Sequence, residues 1–212
     1  MKYFQPNFSH IYVERGALDY PLSQIALKKF SKSKVIEVDH YKDIFNRTGQ
    51  DFQVQKKSMK LILAKKTEPF LYPASEMVQE FGTPNVYYNT PILNCLYNCD
   101  YCFLQGMYSS GNMVVFVNES DFMDAIKIKM ASLNLTLDPM VVSISYNTDI
   151  MAMENIIPMA SRWIDFVIIS GNDILSRRWL KRQLESDLDL ALRDRFVAVN
   201  SLVIFIFIDT LL

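Results

Sequence analysis

Residues 94–117 read NCLYNCDYCFLQGMYSSGNMVVFV, in which three cysteines within eight positions precede an uninterrupted apolar run. The cysteines are Cys95, Cys99 and Cys102, and the chain of 212 residues contains no others. The turn-rich segment after them and the apolar run Met113 to Val117 predict a loop that leads into a buried strand. In a reducing compartment, three cysteines this close together indicate a metal site rather than a disulfide framework.

The number of cysteines bears on the kind of metal site. Iron–sulfur cubanes are ordinarily held by four thiolates. Three cysteines leave one iron open, and open positions are typical of catalytic rather than structural metal sites. A structural zinc site would need a fourth ligand, and the only histidines, His10 and His40, lie far upstream. Buried, inert cysteines are the other alternative. We predict a [4Fe-4S] cluster bound by Cys95, Cys99 and Cys102.

Strand-like and helix-like segments alternate on both sides of the cysteine stretch. The predicted strands are Ile11 to Glu14, Val35 to Val38, Leu61 to Ala64, Met113 to Val117, Met140 to Ser145, Phe166 to Ser170 and Val197 to Ile208. Two predicted helices begin after Asp19 and after Asn118. A third begins at Asp149 and breaks near Pro158, and a fourth covers Ile174 to Arg195. This alternation predicts an α/β fold with a largely parallel sheet. We expect residues 1–85 to form a small α/β extension and connector, and residues 86–212 to form the core.

Overall composition says little about partners. The chain has 22 basic and 23 acidic residues, so its net charge of −1 neither favours nor excludes a DNA substrate. No secretory signal is visible at the N-terminus, and the most apolar run, Leu202 to Ile208, is far short of the roughly 18 residues that span a bilayer. We therefore expect a cytoplasmic protein that does not contact membranes.

The cysteine motif, with an aromatic residue before the third cysteine, resembles the signature of radical S-adenosylmethionine enzymes, and three further stretches resemble the spore photoproduct lyase family within that superfamily. These stretches are Glu14 to Leu22, Tyr101 to Gln105, and Asn147 to Asp149. The resemblance implies an incomplete parallel βα barrel of the radical SAM type. It also implies a [4Fe-4S] cluster, S-adenosyl-L-methionine as second cofactor, and an electron donor such as a flavodoxin or ferredoxin.

The family splits S-adenosylmethionine into methionine and a 5′-deoxyadenosyl radical, which abstracts hydrogen from ultraviolet-induced thymine dimers in DNA. Damaged DNA is therefore the partner that the resemblance implies. By the same likeness, Tyr101 lies near the adenine of the cofactor and the Thr148 hydroxyl lies near the cofactor. A surface threonine at a strand end is the structural alternative for Thr148.

The chain departs from the family at the residues that complete the reaction. The family's hydrogen-returning cysteine corresponds to the segment Ser143 to Tyr146, which has no cysteine, and the family's tyrosine after the third cluster cysteine is Phe103 here. Tyr146 is a candidate replacement hydrogen donor, with packing as the alternative role. The chain is also shorter than its family, and its apolar final strand predicts self-association, another partner, or a truncated or frame-altered product.

Three functions follow from these features. The first is a spore photoproduct lyase-like repair enzyme, the second a radical SAM enzyme with a different substrate, and the third a catalytically incomplete cluster-binding fragment. A DNA substrate would need a basic groove, although charged runs are usually solvated surface. The candidate residues for that groove are Lys56, Lys57, Lys60, Lys65, Lys66, Arg177, Arg178, Lys181 and Arg182.

Overall fold

The structure is a computed structural model that describes residues 6–75, 83–100, 102–134, 140–170 and 204–208, with the backbone alone for 167–170 and 204–208. Its strands are β1 (His10–Glu14), β2 (Lys34–Val38), β3 (Leu61–Ala64), β4 (Tyr72–Pro73), β5 (Val86–Tyr88), β6 (Ile92–Leu93), β7 (Met113–Phe116), β8 (Met140–Ile144) and β9 (Ile204–Ile208). Its α-helices are α1 (Pro21–Lys29), α2 (Phe52–Lys56), α3 (Glu119–Ala131) and α4 (Met159–Ser170), and short 3₁₀ helices cover Tyr41–Asp43 and Ile150–Met153.

The first sheet has the order β2-β1-β3-β7-β6, and its first four strands are parallel. All residues of β3 and β7 are buried, which accounts for their continuous apolar sequences, because parallel strands in the centre of a sheet are covered on both faces. The short strand β6 runs antiparallel to β7, with Leu93 opposite Val114. The first sheet thus contains strands from residues 1–85 and strands from residues 86–212. The division of the chain into an extension and a core at this point remains a prediction.

The second sheet has the order β4-β5-β8-β9. Strands β5 and β8 are parallel, with Val86 opposite Val141, and α3 lies between them in the chain. Strands β4 and β9 pair antiparallel at the two edges, and β9 places Ile208 opposite Met140. The predicted α/β class with parallel strands is therefore confirmed, whereas the described residues form two open sheets and no closed barrel.

The helices bury apolar residues at helical spacing against these sheets. In α3, Phe122 and Ile126 are fully buried, and in α4, Trp163 packs edge-on against Phe166 with 5.9 Å between ring centroids. The half-exposed Arg162 of α4 forms an ion pair with Glu119, which is buried at the start of α3. This ion pair joins the two helices.

Three details differ from the sequence-based predictions. Phe166 to Ser170 is the end of α4 and not a strand, because Trp163 and Phe166 continue one buried helical face with no turn residue between them. Asp19 does not cap α1: the capping position is Tyr20 and no side chain bonds to the first turn. Asn118 does precede α3, but its side chain makes no capping hydrogen bond to the helix backbone; it bonds to the Asp121 carboxylate and to Lys66, as described below.

Other predictions fall where the structure gives partial information. The break near Pro158 is confirmed, since a 3₁₀ helix ends before it and α4 begins directly after it. The predicted helix Ile174 to Arg195 lies outside the described residues. Among the described residues, no helix is long and apolar enough to cross a membrane.

Candidate functional site

The loop from Cys95 to Asn112, called the cysteine loop below, connects β6 to β7 within the first sheet. It leaves β6 beside the first residues of β7, where the buried Asn94 donates hydrogen bonds to the carbonyls of Ser110 (2.7 Å) and Asn112 (2.6 Å). Asn94 has a φ of +64°, in the left-handed region that asparagine tolerates better than most residues. One side chain thus connects the start of the loop to its end.

Within the loop, the second and third cysteines belong to one turn. The backbone N–H of Cys102 donates to the carbonyl of Cys99 at 3.0 Å, and the Gln105 side chain donates to the same carbonyl at 2.8 Å. Cys95, Cys99 and Cys102 are all free thiols and all half-buried. None is consumed by a disulfide, so all three are chemically available.

Cys95 contacts the segment that follows β8. Burial raises the pKa of the Cys95 thiol, and hydrogen bonds from the backbone N–H groups of Asp149 and Tyr97 lower it. The Thr148 hydroxyl also lies close enough to lower the pKa of this thiol, although its buried oxygen completes no hydrogen bond of normal geometry. N–H groups directed at a cysteine sulfur are among the features by which proteins tune iron–sulfur clusters.

Lys56, at the end of α2, faces the cysteine loop. Its ammonium donates a hydrogen bond to the Cys95 carbonyl. Burial lowers the pKa of Lys56, and the nearby thiols of all three cysteines act in the opposite direction. Lys56 is therefore half-buried against the loop, not free to line a basic groove as the sequence analysis supposed.

The donor set fits an iron–sulfur cluster chemically. Three free thiols lie on one loop near the Lys56 ammonium, and N–H groups point at Cys95. Over the part of the chain that is described, no three histidine, cysteine or acidic side chains are gathered closely enough to hold a single metal ion. In a cubane each cysteine binds a different iron, so its thiols surround a larger volume than one ion occupies. Cluster binding remains a prediction.

The turn after β8 carries the other predicted site residues. Ser145 has a φ of +63° and is 3% exposed, and its hydroxyl has no hydrogen-bond partner. Its backbone N–H is held by the side chain of Asn89, which follows β5, at 2.9 Å. A non-glycine residue in the left-handed region, held there by its surroundings, is a feature found disproportionately at functional sites. Thr148 is 3% exposed, so it is not the surface threonine that was the alternative to a role near the cofactor, and that role remains a prediction.

Tyr146 is 41% exposed and stands in a row of aromatic rings. Its centroid lies 5.0 Å from that of Tyr88, which stacks in turn on Tyr72 at 5.2 Å. On its other side, Phe103 of the cysteine loop lies at 6.3 Å and is 62% exposed. The phenol of Tyr146 is therefore accessible and close to the cysteine loop. Tyr101 lies outside the described residues.

A cavity of about 600 Å³ opens beside this row. Its walls come from residues at or just after the carboxyl ends of strands in both sheets, and from the cysteine loop. They are Tyr41, Lys42, Phe45, Asn46, Lys66, Tyr72, Tyr88, Thr90, Leu93, Tyr108, Phe116, Tyr146 and Asn147. Ligand sites in α/β folds lie outside the carboxyl ends of parallel strands, so this cavity is a candidate substrate site.

Two side chains fix the cavity wall. Asn118 accepts a hydrogen bond from the Lys66 N–H and donates one to the Lys66 carbonyl, both at 2.9 Å. Lys66 then reaches the Tyr72 hydroxyl at 3.0 Å, with its ammonium over the Tyr72 ring. Asn147 donates to the Tyr108 hydroxyl at 2.9 Å, while burial raises the pKa of Tyr108. The wall is thus held by hydrogen bonds as well as by packing.

Sequence reasoning did not predict the place of three residues at this site. Lys56 was named only as a candidate for a DNA-binding groove, because it precedes the cysteine loop by almost forty residues, and no local pattern links the two. Asn94 and Asn89 were not singled out either. An asparagine directly before the first cysteine was the one available signal, since asparagine favours the left-handed conformation that Asn94 adopts.

Comparison with known proteins finds likeness in structure only. No family model matches the sequence, and no curated protein matches it. Solved structures that resemble the chain include a cysteine-to-serine mutant of spore photoproduct lyase, at 19% identity and a TM-score of 0.59, covering 76% of this chain and 47% of that one. The lyase complexed with dinucleoside spore photoproduct gives 19% identity and a TM-score of 0.59, with 77% and 47% covered.

A third solved structure is a double mutant of the same lyase with bound AdoMet and dinucleoside spore photoproduct. Its identity is 19% and its TM-score 0.60, with 76% of this chain and 47% of that chain covered. The present chain thus spans about half the length of these lyase structures. The resemblance predicted from the cysteine motif is confirmed at the level of the fold.

Proposed function

We propose that this chain, which shares its fold with spore photoproduct lyases, is a radical SAM protein acting on ultraviolet-damaged thymines. In this proposal Cys95, Cys99 and Cys102 bind a [4Fe-4S] cluster, and S-adenosyl-L-methionine binds the open iron next to Thr148. The parallel strands would belong to an incomplete βα barrel of the radical SAM type. A flavodoxin or ferredoxin would supply the electron.

The observation that carries the proposal is the position of the cysteine loop. It follows the short strand β6 and contacts, through Cys95, the segment after the carboxyl end of β8, a strand that runs parallel to β5. This is the edge at which α/β folds bind ligands. A cavity of about 600 Å³ adjoins it, and the neighbouring lyase structures include one with AdoMet and dinucleoside spore photoproduct bound.

When bound, the cluster would supply the electron that cleaves S-adenosylmethionine. The residues of the chain would do the rest by positioning. The N–H groups of Asp149 and Tyr97 fix the Cys95 sulfur, and the buried Thr148 hydroxyl beside that sulfur completes no hydrogen bond of normal geometry, so it could bond to a ligand there. The tyrosine row offers aromatic faces on which bases stack, and Lys42 and Lys66 offer positive charge for a phosphate.

The test begins with anaerobic reconstitution of the purified chain with iron and sulfide. Bound iron, bound sulfide and the visible absorbance report the cluster, and 5′-deoxyadenosine release from S-adenosylmethionine under reduction reports cofactor cleavage. We expect each cysteine-to-alanine variant to lose both, whereas Met107→Ala, at an exposed residue of the same loop, keeps both. If the parent chain forms neither cluster nor 5′-deoxyadenosine, the proposal is wrong.

A second candidate is a radical SAM enzyme with another substrate. Two residues favour it. The buried residue after β8 is Ser145, with a hydroxyl in the segment where the family has its hydrogen-returning cysteine. Phe103 stands where the family has a tyrosine, and it has no phenolic hydrogen. Both differences affect the return of hydrogen to a thymine product. The two candidates separate when dinucleoside spore photoproduct is added to the reconstituted protein.

Under the first candidate, thymine appears in proportion to 5′-deoxyadenosine. Under the second, 5′-deoxyadenosine forms without thymine. The double variant Ser145→Cys, Phe103→Tyr then provides a control, because it introduces a thiol and a phenol at the two altered positions. A gain of thymine in this variant alone would assign the loss of repair to those two residues.

A further inference from the structure

Helix α2 contacts the cysteine loop at two places. The Gln55 side chain accepts hydrogen bonds from the Ser110 hydroxyl and the Gly111 N–H, both at 3.0 Å. One residue further on, Lys56 donates to the carbonyl of Cys95 at the other end of the loop. Two consecutive residues of one helix therefore hold both ends of the segment that carries the three cysteines.

The backbones of α2 and the loop are also in close contact. A Cβ added to Gly111 would lie 2.6 Å from the Phe52 carbonyl oxygen, a distance that side chains do not tolerate. Gly111 thus lets the helix approach the loop closely enough for Lys56 to reach across it. The ammonium also lies 5.9 Å from the centroid of the Phe52 ring of its own helix. The lysine side chain is therefore enclosed by α2 and the loop, consistent with its half-buried state.

We propose that Lys56 is a positioning residue of the cysteine loop: its ammonium fixes the Cys95 carbonyl and sets a positive charge against the three thiols. The hydrogen bond orders the loop whether or not a cluster is present. The electrostatic consequence rests on the proposed function. A positive charge near a cluster stabilises its more negative, reduced form, and the effect is strong here because the ammonium is partly removed from water.

The first readout is amide hydrogen exchange of the chain without a cluster. We expect Lys56→Met to speed exchange in the cysteine loop at least severalfold, while Lys56→Arg, which keeps a donor and a charge, stays near the parent rate. Lys57→Met is the matched control, since it removes the same charge from the next, exposed residue. Far-ultraviolet circular dichroism checks that each variant is folded. Equal loop exchange in Lys56→Met and Lys57→Met would overturn the proposal.

The second readout is the cluster's reduction equilibrium, followed by electron paramagnetic resonance during a redox titration. We expect Lys56→Met to lower the ratio of reduced to oxidised cluster about tenfold at a fixed potential. For a one-electron couple this corresponds to a reduction potential that is lower by about 59 mV. Lys56→Arg and Lys57→Met should leave the ratio unchanged. A ratio that Lys56→Met does not alter would refute the electrostatic role. If the parent chain takes up no cluster, the proposed function fails, and hydrogen exchange alone decides whether Lys56 positions the loop.

Discussion

The substitution Asn94→Ala tests whether one buried side chain holds the cysteine loop closed. Asn94 is 2% exposed and donates to two carbonyls, those of Ser110 and Asn112, which are themselves almost fully buried. Each such hydrogen bond contributes about 0.5–1.5 kcal/mol. Alanine at a φ of +64° adds about 1 kcal/mol of backbone strain relative to asparagine. We therefore expect a loss of about 2–4 kcal/mol in the free energy of unfolding.

Glycine at the same position separates the two contributions. Asn94→Gly loses the hydrogen bonds but adopts a positive φ without strain, so it should be about 1 kcal/mol more stable than Asn94→Ala. The assay is urea unfolding at 25 °C, followed by far-ultraviolet circular dichroism and by tryptophan fluorescence, with coincident transitions as the check for two-state behaviour. An Asn94→Ala protein within about 0.5 kcal/mol of the parent would refute the reasoning.

Three further predictions concern the core, the tyrosine row and alkaline stability. Leu63→Ala in the fully buried β3 should cost about 2–5 kcal/mol in urea unfolding, whereas Ile128→Ala, at a residue that is 72% exposed, should change stability by less than about 0.5 kcal/mol; equal losses would contradict the assigned burial. Tyr146→Phe should leave stability and 5′-deoxyadenosine release unchanged but reduce thymine formation at least tenfold, and unaltered thymine formation would exclude Tyr146 as hydrogen donor. Burial raises the pKa of Tyr41 above its usual value of about 10, aided by Glu14, so the folded state retains the proton that the unfolded state loses. Stability should therefore fall as pH rises from about 10 through the native pKa. Between pH 8 and pH 10.5, the urea midpoint of Tyr41→Phe should fall less than that of the parent chain; an equal fall would exclude Tyr41 as the source of the alkaline destabilisation.

Local sequence patterns predicted much of the fold correctly. β3 and β7 are continuous apolar runs, and such runs indicate strands covered on both faces. Phe122 and Ile126 repeat at helical spacing and are buried in α3 as expected. Phe166 to Ser170 was mistaken for a strand because a short apolar run has no periodicity that separates a buried strand from a buried helix.

The sequence by itself determined the chemistry available to this protein: three cysteines at a spacing that resembles the radical SAM signature, and no fourth cysteine. These facts depend on residue type and spacing along the chain, so no folding was needed to read them. Only the tertiary structure decided what surrounds the thiols. Lys56 meets Cys95 across 39 positions of the chain, and Asn89 meets Ser145 across 56. Such contacts depend on how two sheets and a short helix pack together, and packing between distant segments leaves no local pattern in the sequence.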